Sequence, residues 1–188
     1  MKKLGILLSG RGSNFEAIAQ AVRSGKLPAE IAVVISNRPE APGLRTAQTM
    51  GLNAVSLPSQ SIARADYDAQ LVAILQQNKV DLVCLAGFMR LLTPVMIQAF
   101  PKRIINIHPS LLPAFPGLHA QRQALRYGVK ITGCTVHYVI EEMDAGPILR
   151  QAAVPVLPGD TEEELTQRIL AAEHQLYIET LHDVLTKT

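Results

Sequence analysis

Residues 4–14 read LGILLSGRGSN, and this stretch frames the rest of the chain. The apolar run 4–9 has the length of a buried strand, and it leads directly into Gly10-Arg11-Gly12-Ser13-Asn14. Helical periodicity follows over about 14–24. A strand, a glycine turn and a helix begin an open α/β sheet, with the turn at the strand's carboxyl end. The turn offers glycines for close backbone approach, free N–H groups at a helix N-terminus, and a hydroxyl. An anion suits such a place because unpaired amides and the helix dipole both point at it. The dinucleotide fingerprint is not met: Phe15 fills its third glycine position, and no Lys-Ser/Thr pair follows as in a P-loop. A single terminal phosphate therefore fits better than a pyrophosphate. The alternative here is a plain tight turn, with Ser13 or Asn14 capping the helix.

Outward from this unit, short apolar runs alternate with longer amphipathic segments. Strands are expected at 31–36, 54–57, 80–86, 104–108, 131–140 and 148–156. The runs IAVVIS (31–36) and VDLVCLA (80–86) are apolar on both faces, as buried parallel strands are. Helices are expected at 43–50, 66–78, 93–100, 119–127 and from 160 or 161 to about 185. Tyr67, Leu71, Ile74 and Leu75 share a helical spacing, Pro94 suits a first helical position, and Thr161 with Glu164 has capping-box spacing. The last two strands are joined by EEMDAGP, a link short enough for an antiparallel hairpin. The expected class is α/β, a Rossmann-like three-layer fold whose mostly parallel sheet carries an antiparallel hairpin. With no repeat or linker, 1–188 reads as a single domain.

The bulk properties narrow the function. The formal net charge is +2, and no block of Lys and Arg forms a nucleic-acid or membrane patch. The N-terminal apolar run 4–8 is too short for a signal peptide. No stretch approaches the ~18 apolar residues of a membrane span. Cys84 and Cys134 lie far apart in apolar runs, without metal spacing, and read as buried thiols of a reducing compartment. A cytoplasmic protein is expected.

Asn106-Ile107-His108-Pro109-Ser110 is the sharpest local feature. Residues two apart on a strand share a face, so Asn106 and His108 point together while Ile105 and Ile107 point opposite. They close a strand at its carboxyl end, where α/β sheets place ligands. Asp144 lies on the hairpin link, within reach of that end. An amide, an imidazole and a carboxylate around one pocket suit acyl transfer to an amine: Asn106 and protonated His108 would meet the oxyanion, and Asp144 would stabilise the imidazolium and help relay the amine's proton. The alternatives are a structural histidine and ordinary turn chemistry at Asp144. A metal site from His108, His137 and Asp144 has no spacing to support it, so none is expected.

Five words, LLSGRGSN (7–14), VCLAGFMRLL (83–92), NIHPSLLPAFPGLHA (106–120), GCTVHYV (133–139) and DAGPI (144–148), together resemble the phosphoribosylglycinamide formyltransferase family, in its order and spacing. The last three are shared with other formyl-folate enzymes; the first is more specific. The resemblance implies formyl transfer from 10-formyltetrahydrofolate, as cosubstrate and without metal, to the amine of phosphoribosyl-glycinamide in purine synthesis. It implies that Gly12, Ser13 and Asn14 hold the substrate phosphate and that Asn106, His108 and Asp144 are catalytic. Arg64, Met89, Arg90, Leu91, Leu92 and Asn106 would contact the folate, as would Ile140, Glu141, Glu142, Met143 and Asp144. Glu173 would hold the ribonucleotide; its place beside the apolar stripe of the last helix agrees, although a solvated rim carboxylate is the plainer alternative. The phosphate half would then span about 1–100 and the folate and catalytic half about 80–188. Partners would be small molecules, with no nucleic acid or membrane, and the protein a monomer or homodimer. Leu170 departs from a polar substrate contact in bacterial members, and the chain ends soon after its last helix, where many relatives add a strand.

Two relatives of this chemistry compete. A tRNA formyltransferase is expected to bring a further domain and a basic face. A formyl-folate hydrolase is expected to bring a preceding regulatory domain and has no need of a phosphate loop. A non-catalytic phosphate sensor is the third alternative.

Overall fold

A computed structural model describes residues 1–187. The elements in chain order are β1 (Lys2–Leu8), α1 (Ser13–Arg23), β2 (Ala29–Ser36), α2 (Pro42–Thr49), β3 (Ala54–Ser56), α3 (Arg64–Gln77) and β4 (Leu82–Leu85). There follow α4 (Pro94–Ala99), β5 (Ile104–His108), α5 (Ala120–Tyr127), β6 (Ile131–Tyr138), β7 (Ile148–Pro155) and α6 (Glu162–Thr186). All seven strands form one sheet, ordered β3-β2-β1-β4-β5-β6-β7. The first five pair in parallel, and β6 and β7 are antiparallel, so the expected mixed sheet is what forms.

From β1 the chain builds outward through β2 and β3, then returns to add β4 on the other side. That reversal parts the loops leaving β1 and β4 and opens a crevice at their carboxyl ends.

Side-chain alternation along β1 divides the core between two faces. Leu4, Ile6 and Leu8 pack with Phe15 and Ile18 of α1 and with Ile169 and Tyr177 of α6. Leu7 faces the other way, onto Tyr67, Leu71 and Leu75 of α3 and Met96 of α4. Burying each such side chain contributes about 1.5–3 kcal/mol. A Cβ at Gly5 would stand 2.6 Å from Cδ2 of Leu75, so any larger residue there forces that side chain to move.

The capping box expected at α6 is present: the Glu164 N–H donates to the Thr161 hydroxyl, and the Thr161 N–H donates to the Glu164 carboxylate. From α6 the Tyr177 hydroxyl reaches the Leu85 and Ile105 carbonyls, each at 3.0 Å, and joins the end of β4 to the start of β5. The strand expected at 80–86 is shorter, because the Val80 N–H closes the end of α3 on the Leu75 carbonyl. Strand β6 stops at Tyr138, after which residues 139–147 turn back toward β5. Cys84 and Cys134 are free and buried. No helix among the described residues is long and apolar enough to cross a membrane.

Candidate active site

The loops leaving β1, β4 and β5 line one cavity of about 620 Å³. The first wall is the glycine turn. Gly12 caps α1 from the left-handed region, φ 77°, with no side chain hydrogen-bonded at the cap. The first-turn amides of α1 therefore lack a capping side chain, and the Ser13 hydroxyl makes no hydrogen bond among the described residues. The turn is pressed against the start of α2. The Gly43 N–H donates to the Gly10 carbonyl at 3.0 Å, and a Cβ on Gly43 would stand 2.9 Å from the Arg11 carbonyl oxygen. A Cβ on Gly12 would in turn lie 3.2 Å from the Gly43 Cα. Two glycines face each other because neither position has room for a side chain.

Asn14 does not cap the helix. Its amide Nδ2 donates to Glu173 Oε2 at 2.8 Å, joining α1 to α6 beneath the turn. Glu173 is buried, so it is not a solvated rim carboxylate. Burial pushes its carboxyl from 4.5 up to about 7, and the Asn14 hydrogen bond only partly offsets this. The Asn14 Oδ1 is enclosed with no hydrogen-bond partner.

The sign of the pH effect follows. Between pH 4.5 and about 7 the folded protein retains a proton that the unfolded chain has released. Stability therefore falls as pH rises through that window, by an amount on the order of 3 kcal/mol. Glu173→Gln keeps a neutral head group with a donor, so its stability should lose this slope. Urea unfolding of both proteins at pH 5 and pH 8 checks it; parallel losses in the two would contradict the assignment.

The second wall, after β4, is fastened at both ends. The Met89 N–H donates to the Ser9 hydroxyl at 2.8 Å, and that hydroxyl donates to Asn37. Asp68, buried on α3, accepts from the Thr93 N–H at 2.6 Å and from its hydroxyl at 2.7 Å. Between the ties Met89 and Leu91 are exposed, and Leu92 packs toward α3. The Arg90 guanidinium lies 4.4 Å over the Tyr67 ring, with Nε and Nη2 enclosed and unpartnered. An apolar ledge of this kind suits a flat heterocycle. Arg64, at the first position of α3, is exposed and is not part of the cavity wall.

The third wall holds the strand-end residues. The His108 ring is buried, with Nε2 2.9 Å from the Phe115 carbonyl, so that nitrogen carries a proton. Its Nδ1 lies 3.4 Å from Asp144 Oδ2, which also accepts from the Gly117 N–H at 2.8 Å. Both ring nitrogens thus face acceptors. Asn106 Nδ2 is 3.3 Å from Nε2 of His137, whose Nε2 is also 3.8 Å from Asp144 Oδ1. The loop carrying Phe115 is held down by Thr135. Its hydroxyl donates to the Ser110 carbonyl at 2.7 Å and accepts from the Leu112 N–H at 3.0 Å. Ile140, Glu141, Glu142 and Met143 line the same cavity before Asp144.

Asn106, His108 and Asp144 are therefore brought together, Gly12–Asn14 meets Glu173, and residues 89–92 line the same space; Arg64 stands apart. Sequence reasoning missed the contacts of His137, Phe115 and Gly117. Only the β5–β6 register, which sets Asn106 opposite His137, could have revealed the first. Although His108, His137 and Asp144 converge, no group of three or more such side chains among the described residues is arranged to hold a metal ion. The thiols make poor nucleophiles, since burial pushes Cys84 and Cys134 each up to about 12. Ser110 is buried and donates to the Ala114 carbonyl. What remains is an arrangement chemically able to stabilise an oxyanion and to move protons.

Known proteins resemble the chain along nearly its whole length. A family described as formyl transferase matches residues 2–181. Phosphoribosylglycinamide formyltransferase of Escherichia coli (strain K12) is 42% identical over 92% of the chain and 82% of its own length. The trifunctional purine biosynthetic protein adenosine-3 of Drosophila melanogaster is 48% identical, but the chain spans only 13% of that protein's length. The crystal structure of glycinamide ribonucleotide transformylase 1 from Symbiobacterium toebii superposes with a TM-score of 0.97 at 53% identity, covering 100% of this chain and 89% of that one.

Proposed function

The chain belongs to the formyl transferase family, and from that premise we propose that it moves a formyl group from 10-formyltetrahydrofolate to the amine of phosphoribosyl-glycinamide in purine synthesis. The observation that carries the proposal is one cavity holding both the Asn106, His108 and Asp144 cluster and a helix N-terminus with no side-chain cap. The first is what a carbonyl turning anionic needs, and the second is what a phosphate needs. The names of the Escherichia coli and Symbiobacterium toebii relatives support the same substrate.

In this reading the phosphate lies over Gly12, Ser13 and Asn14, with Glu173 beneath it toward the sugar. The folate occupies the ledge at Met89–Leu92, under the rim at Ile140–Asp144. The substrate amine attacks the formyl carbon, and Asn106 and His108 meet the oxygen as it becomes an oxyanion. That oxygen competes with the Phe115 carbonyl for the His108 Nε2 proton. The carbon–nitrogen bond to the folate then breaks, the folate nitrogen takes up a proton, and the proton lost by the amine leaves through Asp144 and His108. Residues 1–188 act as one formyltransferase domain, its phosphate half about 1–100 and its folate and catalytic half about 80–188. Substrates are small molecules and the setting is cytoplasmic, for a monomer or homodimer.

An assay with each substrate alone and both together tests this. Formyl should appear on the amine only with both present; free formate released at the same rate without the acceptor would make the protein a hydrolase instead. Gly12→Val separates binding from chemistry. A β-branched residue is strained at φ 77° and would meet the Gly43 backbone. Affinity for phosphoribosyl-glycinamide should fall by about 10-fold or more, because the added side chain pushes the turn away from Gly43 and moves the amides that would meet the phosphate. Calorimetric titration reads it, and unchanged affinity would remove the phosphate from this loop.

A further inference from the structure

Asn106 can donate to an oxyanion only if its amide nitrogen, and not its oxygen, faces the right way. Its side chain makes one hydrogen bond among the described residues, to Nε2 of His137. The other ring nitrogen, Nδ1, lies 3.0 Å from the Tyr138 carbonyl, which only accepts. Nδ1 therefore carries the proton. In a neutral ring that leaves Nε2 bare, able to receive a hydrogen but not to give one. His137 is buried, 2% exposed, and burial lowers its proton affinity from the ordinary histidine value. The titratable groups facing it are Asp144, which favours the charged ring, and His108, which disfavours it. A bare Nε2 accepts only the NH₂ end of Asn106, while a charged ring would attract the oxygen end.

We infer that His137 is a positioning residue for Asn106: as the neutral Nδ1–H tautomer it turns the Asn106 amide nitrogen into the ligand cavity, a role that rests on the formyl-transfer reading above. His137 touches no reacting atom in this scheme; it acts through Asn106.

A double-mutant cycle tests it. His137→Phe keeps a flat ring but removes the acceptor. In the otherwise unchanged protein it should lower kcat about 10-fold, a fraction of the ~100-fold that losing an oxyanion donor outright costs, with KM for both substrates within about 2-fold. In the Asn106→Ala background the same change should alter kcat by less than about 2-fold, because the group it orients is gone. His137→Gln, which can still accept through its amide oxygen, should recover most of the loss. Equal losses in both backgrounds, or no recovery with glutamine, would overturn the inference. Should His137→Phe not fold, nitrogen chemical shifts of the His137 ring decide: at pH 7 the Nδ1–H form supports it, and the Nε2–H or charged form refutes it. The failures are separable. No transfer by the unaltered protein sinks the proposed function, and a fully active Asn106→Ala sinks the oxyanion role. An impaired Asn106→Ala with additive His137→Phe sinks only the present inference.

Discussion

Replacing His108 by alanine is expected to lower turnover about 100-fold or more while leaving affinity for the phosphorylated substrate within about 2-fold. The substitution removes the Nε2 proton now held by the Phe115 carbonyl and the positive partner of Asp144. The oxyanion would then have the Asn106 amide without the charged donor beside it. Substrate affinity should survive because the glycine turn and Glu173 belong to a separate wall, built on α1 and α6. Truncating a buried ring also costs stability, so melting temperatures must accompany the kinetics. Single-turnover rates with both substrates saturating give the cleanest measure. A variant retaining a third of the original rate would remove His108 from the chemistry.

The second large effect should come from Asp144→Asn, expected at about 100-fold in kcat. A carboxylate beside a cation commonly changes the balance between protonation states by 1–3 powers of ten. Asparagine is the informative replacement, because residue 144 sits in the left-handed region at φ 52°, which asparagine tolerates and alanine does not. It can also still accept from the Gly117 N–H through its amide oxygen. Only the charge is lost, and with it the stabilised imidazolium. An unchanged kcat would assign Asp144 to loop structure alone.

Much of the fold was legible because its signals are local. IAVVIS at 31–36 read as a strand covered on both faces, and it became β2, paired with a strand on either side. Thr161 and Glu164 announced the start of α6 three residues apart. The short link after Ile140 required an antiparallel return. Alternation within β5 correctly set Asn106 and His108 against Ile105 and Ile107, which lie in the core shared with α1 and α6. Contacts between elements were not legible. Nothing in the spacing of residues 106 and 137 states the register that pairs them. Nor does the periodicity of α6 reveal that Glu173 ends against Asn14, 159 positions away in the chain. The Gly117 and Phe115 backbone groups that hold Asp144 and His108 carry no side-chain signature at all.

The mutual fit of Gly12 and Gly43 bears on how portable the glycine turn is. Its curvature is not written in residues 9–14 alone, because the backbone at Gly10 and Arg11 leans on a glycine that arrives with a different helix. Grafted onto another α/β scaffold, the short motif would carry its amides but not the mould that shapes them. A designer borrowing it would have to transplant the start of α2 as well, or accept a cradle that never closes.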